Sequence, residues 1–124
     1  MEVIYVIGRI LFAGLFISSG YGHIAKVKDM SGYAKSMGVP AAGFMTILTG
    51  IMIIVGGLMI IFNFEMFYGA LLILLFLLPT SFMMHAFWKL KDPGMKQMQQ
   101  IMFMKNISLA GAALMMMYFT YGLH

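Results

Sequence analysis

Residues 41–62 read AAGFMTILTGIMIIVGGLMIIF, 22 positions without a charge and rich in Ile, Leu, Met and Gly. As an α-helix rising about 1.5 Å per residue, the stretch is about 33 Å long, enough to cross the ~30 Å hydrocarbon core of a bilayer. Three further apolar runs of similar length accompany it, so the predicted spans are 3–22, 41–62, 67–88 and 102–121. Hydrocarbon offers no water to a backbone, and each run must satisfy its own N–H and C=O groups as a helix. Composition agrees: 62% of the 124 residues are hydrophobic, 10% are charged, and the mean hydropathy is +0.94, too apolar for a water-soluble domain. The expected fold is all-α, a single integral membrane four-helix bundle over residues 1–124. Val3–Gly22 carries Arg9 and is followed by no small-residue cleavage site, so it reads as a retained span and not as a signal peptide.

The net charge of +4 resembles that of a nucleic-acid binder, but the lysines sit beside the spans. Lys26, Lys28 and Lys35 fall between spans one and two, and Lys89, Lys91 and Lys96 between spans three and four. The Asn63–Met66 connection holds only Glu65, and the N-terminus only Glu2. Positively charged loops stay inside, which predicts a multi-pass protein of the cell (inner) membrane with both lysine-rich loops cytoplasmic and both termini outside. Lys105, early in span four, is placed to snorkel to the cytoplasmic surface. In the first of these loops Asp29 is expected to cap a short interfacial helix presenting Met30, Tyr33 and Met37, with Gly38 as its terminator and Pro40 opening span two. In the second, Asp92-Pro93 reads as an N-cap followed by proline at the first helical position.

Residues 23–32, HIAKVKDMSG, resemble residues 85–94, HAFWKLKDPG. Two tandem helix pairs related by a pseudo-two-fold along the membrane normal would produce this, and so would two independent membrane-exit signals. Both readings stay open on so short a match.

Spans associate in lipid through close packing and hydrogen bonds, so small residues mark possible contacts. Gly14, Ser18 and Gly22 repeat every four residues in span one, Gly43, Gly50 and Gly57 every seven in span two, and Ser108 with Ala112 forms a pair in span four. These faces are expected to hold the bundle together, the alternative being a contact with a partner subunit. Polar residues gather in the cytoplasmic half: Ser19 and His23 end span one, Thr46 and Thr49 begin span two, Thr80 and His85 end span three, and Asn106 begins span four. Antiparallel matching brings His23, His85 and Asn106 within about two helical turns of one level. A polar pocket open to the cytoplasm follows, since unpaired polar groups are costly in lipid.

Histidines on different helices could ligate a haem or hydrogen-bond a quinone. No H-x-x-E, H-x-x-x-H or acidic cluster accompanies them, which weighs against haem and metal and leaves quinone or another small ligand, beside the plainer role of interfacial side chains. The 16 methionines are spread over all spans and read as flexible apolar packing, not as a copper site. The absence of cysteine excludes thiolate chemistry. Arg9 lies about 10 Å from the outer end of span one, placed to anchor there or to pair with Glu2 or Glu65. Nothing resembles a catalytic constellation, so any enzymatic role would need other subunits.

Taken in order, GRILFAGLFISSGYGHIAK at 8–26, D-x-x-G-Y…G-V-P at 29–40, Gly56-Gly57, HAFWK at 85–89 and FMKN at 103–106 resemble the DoxX family of small four-span membrane proteins. The resemblance implies association with membrane redox systems, since the namesake is linked to a terminal quinol oxidase and relatives join oxidoreductase or thiosulfate-oxidising assemblies. It matches Arg9 to the family's first-span arginine, and His85, Trp88 and Asn106 to its third- and fourth-span signature. Two positions depart: members often carry lysine at His23 and an acid around Ile53. The resulting expectation is an accessory or structural subunit of a quinone-linked complex, non-catalytic alone. Its candidate ligand contacts are His85, His23, Trp88, Asn106 and Arg9, and its partners are the lipid bilayer and other membrane subunits or a second copy. The alternatives are a stand-alone binding protein or carrier for a small or lipidic ligand, and a membrane-protein scaffold.

Overall fold

The computed structural model describes residues 2–85 and 87–121. Among them every regular element is helical: α1 (Glu2–Ala25), α2 (Val27–Ser36), α3 (Ala42–Ile61), α4 (Met66–Met84), a 3₁₀ turn (Phe87–Lys89) and α5 (Pro93–Thr120). Helices α1, α3 and α5, together with α4 carried on through the turn to Lys89, are long and apolar enough to cross a membrane. The protein is an integral membrane four-helix bundle. Its spans pack in chain order, α1 on α3, α3 on α4 and α4 on α5, with α2 folded back onto α3. The core joins Ala13 and Phe16 of α1, Ile53 and Ile60 of α3, Ile73 and Leu77 of α4, and Ala110 and Ala113 of α5.

Two pairs of glycines let backbones meet. A Cβ added to Gly20 would lie 2.6 Å from the Gly50 carbonyl oxygen, and one added to Gly50 would lie 2.7 Å from the His23 Cβ. Gly56 and Gly69 oppose each other in the same way, each 2.8–2.9 Å from the other's carbonyl oxygen by the same measure. Close packing of this kind substitutes for the hydrophobic drive that lipid cannot supply.

The expected use of the Gly14, Ser18 and Gly22 stripe is corrected here. Added Cβ atoms at Gly14 and Gly22 would meet nothing within 4 Å, and Ser18 is exposed. The inward face of α1 is instead the series Ala13, Phe16, Gly20 and His23, spaced three and four apart. At about 100° per residue, the glycine–serine stripe lies about 180° round the helix from it, on the opposite face. Gly50 and Gly57 of α3 do meet α1, whereas Gly43 meets nothing. On α5 the buried small residues are Ala110 and Ala113, and Ser108 is exposed.

The loops differ in detail from their expected form. Lys26, not Asp29, occupies the N-cap of α2, and Asp29 sits within the first turn, where a carboxylate meets the positive end of the helix dipole. Met30, Tyr33 and Met37 are half-buried, and burial pushes the Tyr33 phenol above its ordinary range. Gly38 ends the helix at φ +90, a conformation that favours glycine, with the Val39 N–H donating to the Ala34 carbonyl (3.0 Å) and the Gly38 N–H to that of Lys35 (3.1 Å). Pro40 stays outside α3, because Ala41 takes a left-handed conformation (φ 49) before the helix begins. The third span stops being helical at Met84, short of residue 88, because His85 leaves helical dihedrals (φ −113, ψ 39). Ala86, inside that predicted span, lies outside the described residues. Asp92 is the extended N-cap of α5 and Pro93 its first residue, though the Asp92 carboxylate makes no capping bond. The two similar linkers therefore fold differently, one as a helix and the other as a short 3₁₀ turn.

Candidate functional site

The contacts between spans fix their register. Gly20 faces Gly50, Gly56 faces Gly69, and His85 meets Gln99. Counting along antiparallel helices from these pairs puts His23, Thr46, Pro79 and Asn106 at nearly one depth. His85 lies about two turns nearer the lysine-bearing loops. Around this depth the four spans, together with α2 and Val39, line a half-open cavity of about 370 Å³. Its lining is mostly apolar, including Phe16, Phe76, Leu77 and Leu109, with a few polar side chains set among them. That combination and size suit a small molecule.

The polar groups fall into two classes. Thr46 and Thr49 donate to carbonyls of their own helix, at Ala42 (2.8 Å) and Met45 (2.7 Å), so their hydroxyl protons are already engaged. His23, His85 and Asn106 keep capacity for a guest. His23 is only 8% exposed; its Nδ1–H donates to the Ser19 carbonyl at 2.7 Å, and its ring stands edge-on to Phe76 at 5.6 Å. His85 is half-buried and its Nδ1 bonds the Gln99 Oε1 at 2.6 Å. Asn106 is also 8% exposed and lines the cavity, and among the described residues its carboxamide has no hydrogen-bond partner. Pro79 has no N–H to offer the Leu75 carbonyl, and both residues line the same cavity.

The structure thus brings three of the five sequence candidates to one cavity and places two elsewhere. Trp88 is half-exposed, its ring packed with Phe82, Phe87 and Phe103 at centroid distances of 5.2–6.3 Å. Arg9 lies far along α1 from His23, its guanidinium 4.9 Å from the centre of the Tyr5 ring. It pairs with neither Glu2 nor Glu65, and its buried Nε has no partner among the described residues. Ile53 packs beside Gly20, eleven positions from Arg9 and so about 16 Å along the helix. An acid at that place would therefore face the level of the cavity and not the arginine.

Gln99, the partner of His85, is the site residue that sequence reasoning missed. Its signal was weak, a polar residue in the first turns of α5, before the apolar part of the span. Among the described residues no three His, Asp or Glu side chains converge.

Four apolar helices around a half-open cavity define a small multi-pass membrane protein. The chain belongs to the DoxX family, whose profile matches residues 4–86, that is, α1 to the end of α4. It is 34% identical over 115 residues to the inner membrane protein YqjF of Escherichia coli (strain K12), covering 93% of this chain and 82% of that one. No solved structure matches it.

Proposed function

We propose that this protein is a small, non-catalytic subunit of a quinone-linked oxidoreductase complex in the inner membrane, holding a quinone ring in the cavity between its spans. The observation that carries this reading is the convergence of His23, His85 and Asn106 on one apolar chamber of about 370 Å³. An apolar ring with polar atoms at its edge fits such a lining better than an ion or a sugar, which would leave most of its own polar groups unmet. The name of the inner membrane relative supports the compartment, and the family resemblance supports the redox setting.

The expected experiment is purification in mild detergent followed by identification of bound lipid-soluble ligand and companion proteins. His85→Ala should leave the protein inserted and folded while weakening quinone binding about tenfold, the value of roughly one good hydrogen bond. The preparation should show no haem absorption. A Soret band lost in both His23→Ala and His85→Ala would make the protein an electron carrier instead, and unchanged binding in His85→Ala would reduce that histidine to packing.

The orientation proposed with this function follows the lysines, with both termini outside and the 26–35 and 89–96 segments cytoplasmic. The natural absence of cysteine makes it directly measurable. Single cysteines at Glu2 and Glu65 should react with an impermeant thiol reagent added to intact cells, whereas cysteines at Ser36 and Lys96 should not. The reverse pattern would invert the protein and place the chamber nearer the outer face.

A further inference from the structure

We infer that the cavity selects the hydroxyl-bearing, reduced form of its ring ligand over the dicarbonyl form, and that His23 is the residue that discriminates. The identity of the ring as a quinone rests on the function proposed above; the direction of selection rests on the hydrogen bonds of the site. A backbone carbonyl can only accept, so the 2.7 Å contact between His23 and the Ser19 oxygen fixes the proton of the neutral ring on Nδ1. Nε2 is then a bare acceptor. It belongs to a side chain only 8% exposed, which lines the cavity and offers Nε2 no partner among the described residues. His85 bonds the Gln99 carboxamide through Nδ1 at 2.6 Å, but a carboxamide can present either its oxygen or its NH2, so this contact leaves Nε2 of His85 free to donate or accept and able to face either form of the ring.

A carbonyl oxygen set against the His23 Nε2 would bring two lone pairs together, and neither group could be satisfied. A hydroxyl donates to it. The other polar groups do not reverse this preference. Asn106, buried and without a hydrogen-bond partner among the described residues, can donate or accept through its carboxamide, as can the Ser19 and Thr80 hydroxyls that also line the cavity. Lys105, exposed at the cavity rim, donates only, and since a hydroxyl oxygen and a carbonyl oxygen both accept, it is satisfied by either redox form. The selecting group is therefore the His23 imidazole, whose tautomer a backbone carbonyl fixes and which is buried at 8% exposure.

The test compares a short-tailed benzoquinone, its hydroquinone kept reduced without oxygen, and the dimethyl ether of that hydroquinone. Their affinities are measured by equilibrium binding to the purified full-length protein. The hydroquinone should bind about tenfold more tightly than the quinone, and the ether, which has the ring but no O–H, should fall with the quinone. His23→Gln, whose carboxamide can turn to donate or accept, should bring the ratio of hydroquinone to quinone affinity close to one without abolishing binding. Equal or tighter binding of the quinone by the natural protein would overturn the selection and leave the proposed function standing. A ratio unchanged in folded His23→Gln would overturn the assignment to His23. Failure of all three compounds to bind would sink the proposed function and this inference with it. Should His23→Gln not fold, the natural protein's preference among the three compounds still decides the selection.

Discussion

Gly20→Val should give a chain that reaches the membrane but does not hold α1 against α3, whereas Gly14→Val should behave like the parent protein. At Gly20 the first added carbon would sit 2.6 Å from the backbone oxygen of Gly50, and a backbone cannot step aside as a side-chain end can. The helices must separate, and the buried contacts of Phe16, Ile53 and His23 go with them. Overpacking typically costs about 1–3 kcal/mol, and a clash with backbone belongs at the upper end of that range. Against a total stability of about 5–15 kcal/mol, this is a large fraction. At Gly14 an added carbon meets nothing within 4 Å. The measurement is the folded fraction of each variant during titration with a denaturing detergent. Equal losses at the two positions would mean that the outward stripe of α1 is packed in the membrane.

Asn106→Leu should make the protein more stable and less able to bind its ligand. The Asn106 carboxamide opens on a mostly apolar cavity with no protein partner among the described residues, which costs up to about 1–3 kcal/mol relative to a hydrogen-bonded one, and a leucine in its place removes that cost while filling part of the cavity. The expected gain is about 1–2 kcal/mol in the same detergent titration, with ligand affinity falling about tenfold. Stability and binding moving in opposite directions is what a side chain retained for a guest produces. A loss of stability in Asn106→Leu would show instead that the carboxamide is tied into the bundle.

The number of spans was legible because hydropathy acts residue by residue: the 41–62 run has no charge, and nothing in its surroundings could make it anything but a buried helix. Which face of a helix turns inward is a relation between helices. A four-residue spacing at Gly14, Ser18 and Gly22 therefore marked a face of α1 without showing that Ala13, Phe16, Gly20 and His23 would be the one used. Depth was legible for the same reason as the spans, since antiparallel counting brought His23, His85 and Asn106 toward one level. Their hydrogen bonds were not. Gln99 is fourteen residues from His85 across a turn, and only the fold decides that those two meet while Asn106 finds no hydrogen-bond partner among the described residues. Arg9 shows the same limit: its charge could be placed near one end of α1, but the Tyr5 ring beneath it lies one helical turn back on the same helix, a partner that charge pairing does not suggest.

The glycine contacts described above divide labour within the molecule. Gly20 with Gly50 joins α1 to α3, and Gly56 with Gly69 joins α3 to α4, so backbone against backbone sets the spacing of these three helices, which together make a frame. Among the described residues no such glycine joins α5, which leans on α4 through Ala110, Ala113 and larger side chains. It is a replaceable wall. Asn106, Lys105, Met102 and Leu109 project from it into the chamber, and the frame does not depend on any of them for its spacing. A change of ligand can therefore be made one side chain at a time on α5, without redrawing the helices that give the chamber its shape.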